Sequence, residues 1–387
     1  MMALEEIAAT DNINAWHGRS VVRIGLISPP WVPVPPPAYG GLEAVVDRLA
    51  RGLVHAGHQV LLAAPANSEC PVPRVEGMDE VDPDAPISGD TITELAHIAR
   101  AYAAMTDMDV IHDHTIAGPL YRHRPATPVA TTNHGPFEAL PRRLFQRMQD
   151  DTAIVAISHH QASTAEGVHI SRVIHHGLDV DDVPVGTGDG GYLAFLGRMN
   201  ADKGPVQAIE AARTAGMPLK IAAKMREDAE IKYFETKVRP MLGGGVEYVG
   251  EVDEAGKFEL LGAATALLNP IQWPEPFGLV MIEALACGTP VIATSAGSVP
   301  EIVDDGRTGF IRDAPGDLAA CLVRAVDLDR TACREAAESR FSTARMVADH
   351  LDLYTELIGC RGHRPAISRT AWTPRPLSAH HHSASKS

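Results

Sequence analysis

The feature of this 387-residue chain that most restricts its fold is a recurring unit: a short, nearly continuous apolar run followed by a helical apolar stripe. The runs VRIGLIS (22–28), QVLLAAP (59–65), DVIHDH (109–114), PVATTNH (128–134) and AIVAIS (153–158) lack the clean alternation of a half-solvated strand. They read as strands covered on both faces, which is the property of a parallel sheet with helices on either side. Between the first two runs, after a Pro-rich loop, Leu42, Val45, Val46, Leu49 and Leu53 share helical spacing and predict an amphipathic helix.

The unit restarts at YLAFLGR (192–198), beyond a Gly- and Asp-rich stretch at 186–191 that marks a linker. A helix from Pro205, then LKIAAK (219–224), a charged helix, VEYVGEV (246–252), another helix, TALLNP (265–270), a helix carrying MIEALACG (281–288) and PVIAT (290–294) follow. The expected organisation is therefore α/β, with tandem domains at 21–185 and 186–345, a loose leader at 1–20 and a closing amphipathic helix at 346–360. Residues 361–387 have no periodicity and hold three prolines, which predicts a disordered basic tail.

Charge narrows the function. The net charge is −15, and the last 27 residues hold five basic side chains and no acid, so residues 1–360 carry −20. A body that negative repels nucleic acid. The tail's cations leave open a weak peripheral contact with an anionic membrane, but no run is suited to spanning one: 24–42 is uncharged and holds six prolines. Five cysteines with no CxxC pair, and an acidic first twenty residues with no apolar core segment, predict a reducing, cytoplasmic setting.

Three stretches carry candidate chemistry. In WPEPFGLVMIEALACGTPVIAT (273–294), seven residues separate Glu275 from Glu283, and Phe277–Gly278 open a helix whose amino terminus suits a phosphate. Both acids can be read as solvated helix residues. The apolar surroundings of Glu283 instead predict a buried carboxylate that needs a partner. In FLGRMNADKG (195–204), Arg198 ends a strand and Lys203 precedes the next helix, either as cations at the sheet edge where such folds bind ligands or, as the stretch alone favours, as residues that simply ride on the surface. In PPAYGGLEAVV (36–46), Gly40 and Gly41 form either a simple turn or a close backbone approach to an anion. His112-Asp113-His114 offers at most two ligands on one strand face, too few for a metal site. Asp107-Met108-Asp109 reads as a helix–strand turn, and His380–His382 is too short a tract to mark a site.

Together with IHHGLDVDD (174–182) and GSVPEIVDDGRTGF (297–310), these stretches resemble the retaining glycosyltransferases of family 4 over roughly residues 21–358. The resemblance implies the GT-B fold, two Rossmann-like domains facing each other across a cleft. It implies a hexosyltransferase whose co-substrate is a nucleotide-sugar, UDP-linked in preference to GDP-mannose, with no metal or other cofactor and an unidentified acceptor. Arg198 and Lys203 would bind the donor diphosphate, Phe277, Gly278 and Leu279 would contact phosphate or sugar through their backbone, Glu275 would face the transferred sugar and Glu283 would hold the ribose. Gly40 and Gly41 would close over the diphosphate, and His134 would lie near sugar and acceptor. Two departures stand out. Lys224 replaces the family's Gly-rich turn, either as a third phosphate-side cation or as a strand cap, and His176–Gly177 replaces the usual Asn-Gly. A GT-B epimerase or phosphorylase, or a nucleotide-sugar-binding protein without catalysis, are the alternative readings.

Overall fold

The computed structural model describes residues 21–37, 40–83, 89–121 and 127–360. The expected leader, the basic tail and His380–His382 lie outside the described residues. Six parallel strands form the first sheet: β1 (Arg23–Ile27), β2 (Gln59–Ala63), β3 (Val110–Asp113), β4 (Val129–Thr132), β5 (Thr152–Ala156) and β6 (Arg172–Val173), in the order β2-β1-β3-β4-β5-β6. The second sheet holds β7 (Leu193–Arg198), β8 (Leu219–Lys224), β9 (Val246–Gly250), β10 (Ala266–Asn269), β11 (Val291–Thr294) and β12 (Gly309–Arg312). It too is parallel, in the order β12-β11-β10-β7-β8-β9. This is the doubly wound arrangement twice over, each sheet reversing direction beside its first strand.

The continuous apolar runs are explained by burial on both faces. In β7, Leu193 and Phe195 enter one core of the second half while Ala194 enters the other, and Ile292 is separated in the same way from Val291 and Ala293. Five helices matter for the site: α1 (Gly41–His55), α2 (His159–Ser163), α3 (Glu254–Ala263), α4 (Leu279–Ala286) and α5 (Thr343–Gly359). The stripe Val45, Val46, Leu49 and Leu53 of α1 lies in the first-half core, as its spacing predicts.

The closing helix begins three residues earlier than expected, because the Ser342 side chain caps it by accepting from the Arg345 amide. Although α5 follows the second half in sequence, Met346, Val347, Leu351, Leu353 and Tyr354 are buried in the core of the first half. The approach to α1 is close enough that a Cβ on Gly52 would fall 2.6 Å from Val347 Cγ2. The Gly-rich stretch at 186–191 is pinned to the second half through Gly186 N to Cys287 O (3.0 Å) and Gly188 N to Gly262 O (3.0 Å). All five cysteines are free thiols, four of them buried.

Because Leu351 is buried where α5 meets the first half, Leu351→Ala should lower stability by about 2–5 kcal/mol. Urea unfolding followed by circular dichroism reads this as a lower midpoint.

Candidate functional site

The carboxyl ends of the two sheets face a shared cavity of about 930 Å³. Its walls include His134 beyond β4 and His176 beyond β6 on one side, and Gly197, Lys224 and Asn269 at the ends of β7, β8 and β10 on the other. The reversal of the second sheet, between β7 and β10, therefore opens onto this space, where doubly wound sheets hold ligands.

The floor is built by the segment around α4. Gly278 caps that helix at φ +88°, a left-handed conformation that glycine adopts without strain, and no side chain caps the first turn. Free N–H groups of that turn, with the helix dipole behind them, are available to an anion. The preceding loop is fixed from below. Ser298 N donates to Glu275 O (3.0 Å), Ser298 Oγ donates to Phe277 O, and a Cβ on Gly297 would come within 2.2 Å of Glu275 O. Phe277, Gly278 and Leu279 all line the cavity. Gly40 and Gly41 line it from the opposite half, and a Cβ on Gly41 would stand 3.0 Å from Leu279 Cδ1 across the gap.

Two ion pairs hold the acids. Lys203 Nζ contacts Glu275 Oε2, and the same oxygen accepts from Trp273 Nε1 at 2.9 Å. Lys203 also lies 5.5 Å above the Trp273 ring. Both donors therefore engage one carboxylate oxygen. Glu283 is buried in α4 and its Oε1 accepts from Lys257 Nζ at 2.7 Å. The partner anticipated for this acid is thus a lysine 26 residues away on α3, which no local pattern marks. Trp273, two residues before Glu275, likewise has no local pattern that marks its bond to that acid.

Arg198 stands at the end of β7, as expected, but its side chain is engaged by another residue. Its Nε donates to Glu230 Oε1 at 2.7 Å, and it is not among the residues lining the cavity. Burial alone would raise the Glu230 carboxyl, but the amides of Arg226 and Glu227 and the Arg198 guanidinium outweigh it and hold it below its usual range. Lys224 does line the cavity, and burial, followed by the nearby charge of Arg226, lowers its ammonium. On the first turn of α1, burial pushes the Glu43 carboxyl up to about 7 against the opposing charge of Lys224.

Residues 39–182 match the model of Glycosyltransferase Family 4, and residues 185–340 match that of Glycosyl transferases group 1. The chain belongs to glycosyltransferase family 4. Over 346 residues it is 27% identical to a phosphatidyl-myo-inositol mannosyltransferase of Mycolicibacterium smegmatis, covering 80% of this chain and 86% of that protein. AviGT4, a glycosyltransferase involved in avilamycin A biosynthesis, is 26% identical with a TM-score of 0.64, covering 87% of this chain and 98% of its own. Sucrose-phosphate synthase from Thermosynechococcus elongatus shares the GT-B fold at a TM-score of 0.73 and 18% identity, over 88% of this chain and 100% of its own. No helix among the described residues is long and apolar enough to cross a membrane.

Beside the cavity, this family 4 glycosyltransferase buries a column of histidines. Tyr354 Oη lies 2.6 Å from His112 Nδ1, and His112 Nε2 lies 2.7 Å from Thr132 Oγ1. The His112 ring stacks on His114 at 4.4 Å, and His114 Nδ1 is 2.9 Å from His134 Nε2. His134 stacks on His176 at 5.2 Å, and His176 meets Phe277 edge-on at 5.0 Å. His112 and His114 thus share a face, as strand alternation requires, while Asp113 points away to Tyr102 Oη (2.9 Å) and Thr115. Asp109 binds Arg23 at the opposite end of the strands.

Among the described residues, the one His/carboxylate group with metal-ligand spacing is His159, His175 and Glu301. Its carboxylate already accepts from the amides of His159 (2.8 Å) and His160 (2.6 Å), in the first turn of α2, and lies 2.8 Å from His175 Nε2. That places it as a latch between the halves.

Burial, reinforced by neighbouring histidines, lowers His112, His114, His134 and His176, His134 to about 3, and burial with the nearby charge of Arg345 lowers His350 to about 4. The folded state holds them neutral, whereas the unfolded chain protonates each near ~6.5. The unfolded state therefore binds more protons below that value, and stability must fall as pH drops through it, by up to about 1.4 kcal/mol per pH unit for each histidine. Urea midpoints should be flat above pH ~7.5 and should fall steeply between pH ~6.5 and ~4.5.

Proposed function

We propose that this glycosyltransferase moves a hexose from a nucleotide-sugar, UDP-linked or GDP-mannose, to an acceptor with retention of anomeric configuration. The observation that carries the reading is the convergence, on one cavity wall, of the uncapped α4 terminus with the Lys203–Glu275 and Lys257–Glu283 pairs. The terminus, Lys203 and Lys224 supply positive charge for a departing diphosphate, with Gly40 and Gly41 closing from the other half. Arg198 joins them only by exchanging Glu230 for phosphate.

Glu275 has its Oε2 committed to Lys203 and Trp273, which leaves Oε1 to accept from a hydroxyl of the transferred sugar. Glu283, oriented by Lys257, accepts from the ribose hydroxyls. His134 lies at the cavity edge with its ring neutral, and there it hydrogen-bonds sugar or acceptor. A donor phosphate oxygen takes the acceptor proton on the same face of the sugar. The two lysines and the helix terminus occupy the electrostatic place of a divalent ion, so the reaction needs none. The mannosyltransferase name of the 27% identical relative supports a hexose donor.

Lys203→Ala should reduce kcat/KM for the donor by about 10²–10³, because it removes charge stabilisation at the leaving group. Near wild-type activity in that variant would overturn the site. Glu283→Gln should raise the donor KM more than it lowers kcat, since ribose contacts change little between ground and transition states.

Stereochemistry is a separate test. Proton NMR of the first-formed product from an α-linked donor should show the α-anomer, with the rate unchanged by EDTA. A β-product would exclude retention.

A further inference from the structure

One charged side chain in the cavity wall is buried without the partners its burial demands. Arg48 of α1 has a side chain only 6% exposed. Its single ionic contact is Nη2 to Glu254 Oε1 at 3.4 Å, and that glutamate is 68% exposed. Nη1 is buried with no hydrogen-bond partner. A guanidinium presents five N–H donors and accepts nothing, so leaving it desolvated and mostly unmatched is expensive unless a ligand supplies acceptors. Arg48 lines the same cavity as Lys203 and Glu283.

Helix geometry fixes where along the cavity Arg48 stands. Gly41, facing Leu279 at the start of α4, is seven residues before Arg48. Seven residues are nearly two full turns, so both lie on one face of α1, about 10 Å apart. On the other wall, Glu283 is one turn into α4 and is held by Lys257, and Lys257 lies one turn beyond Glu254 on α3. The cavity wall therefore runs in the order helix terminus, Glu283–Lys257 pair, Arg48–Glu254 pair. A nucleoside diphosphate with its phosphates at the first and its ribose at the second brings its base to the third, beside cavity-lining Val252 and Ala255.

We infer that Arg48 reads the base of the donor nucleotide and selects a base with a keto edge, guanine or uracil, over one with an amino group there, adenine or cytosine. This rests on the nucleotide-sugar reading above. Guanine offers two adjacent acceptors, O6 and N7, that match a guanidinium fork, and uracil offers its O4. Adenine and cytosine turn an amino donor toward the same position, against which an arginine has only donors.

The test is calorimetric titration of GDP, UDP, ADP and CDP onto the full chain and onto Arg48→Met, which keeps the apolar stem and removes the donors. The wild type should bind GDP or UDP at least about tenfold more tightly than ADP and CDP, the discrimination expected of one good base contact. Arg48→Met should weaken the preferred nucleotide about tenfold and bring all four to within about threefold of one another. Arg48→Lys, with a point charge in place of the fork, should fall between the two. Melting curves of both variants show whether either has lost its fold; if Arg48→Met has, Arg48→Lys decides, a reduced preference among the four nucleotides supporting the inference and an unchanged one overturning it.

An equal loss for all four nucleotides would make Arg48 a phosphate or stacking contact and overturn the inference, as would no loss, or a wild-type preference for ADP or CDP. Failure of the wild type to bind any of the four would instead overturn the donor reading on which the inference depends.

Discussion

The cleft exists because α5, the last helix among the described residues, is buried in the first half. Two α/β domains joined only by a connecting segment would be free to turn away from each other. Here the chain crosses once at residues 174–183 and again where α5 leaves the second half. Both crossings are tied together by Leu178 N to Phe341 O (2.8 Å) and Thr343 N to Leu178 O (2.9 Å). Apolar burial of Met346, Leu351 and Tyr354 then fixes the end of the helix on the first sheet. With both crossings held, the carboxyl ends of the two sheets have to face one another.

That opposition gives the site its electrostatics. Each acid expected to work in the cleft is neutralised by a lysine: Glu275 by Lys203 and Glu283 by Lys257. Such pairing in a partly desolvated space keeps the carboxylates aimed without requiring a ligand. Arg198 is matched as well, by Glu230. Arg48 stands apart from this pattern, since its one carboxylate partner is long and exposed. The contrast separates charged groups with close partners inside the protein from one whose buried Nη1 has no hydrogen-bond partner.

The histidine column shows how a polar cluster can serve as core. Its rings stack, and hydrogen bonds to Tyr354, Thr132 and the Met346 carbonyl satisfy nitrogens that would otherwise be stranded. The five residues come from two strand ends, the connecting segment and α5. Sequence spacing groups only His112 with His114, because same-face alternation is the sole relation that a strand imposes by itself. A cluster drawn from four elements has no linear signature.

The sequence by itself determined the parallel sheets and the restart that makes two domains, and it picked out Glu275, Glu283 and Lys203, which the fold brings to one cavity. Continuous apolar runs and glycine-opened helices have local physical causes, and local causes are written in neighbouring residues. The tertiary structure alone decided the partners. Lys257 is 26 residues from Glu283, Glu254 is 206 residues from Arg48, and Tyr354 is 242 residues from His112. It also decided that Arg198 turns to Glu230, a competition between two anions that no spacing encodes. Charge pairing across a cleft depends on which surfaces the fold brings together, and the return of α5 to the first half settles that.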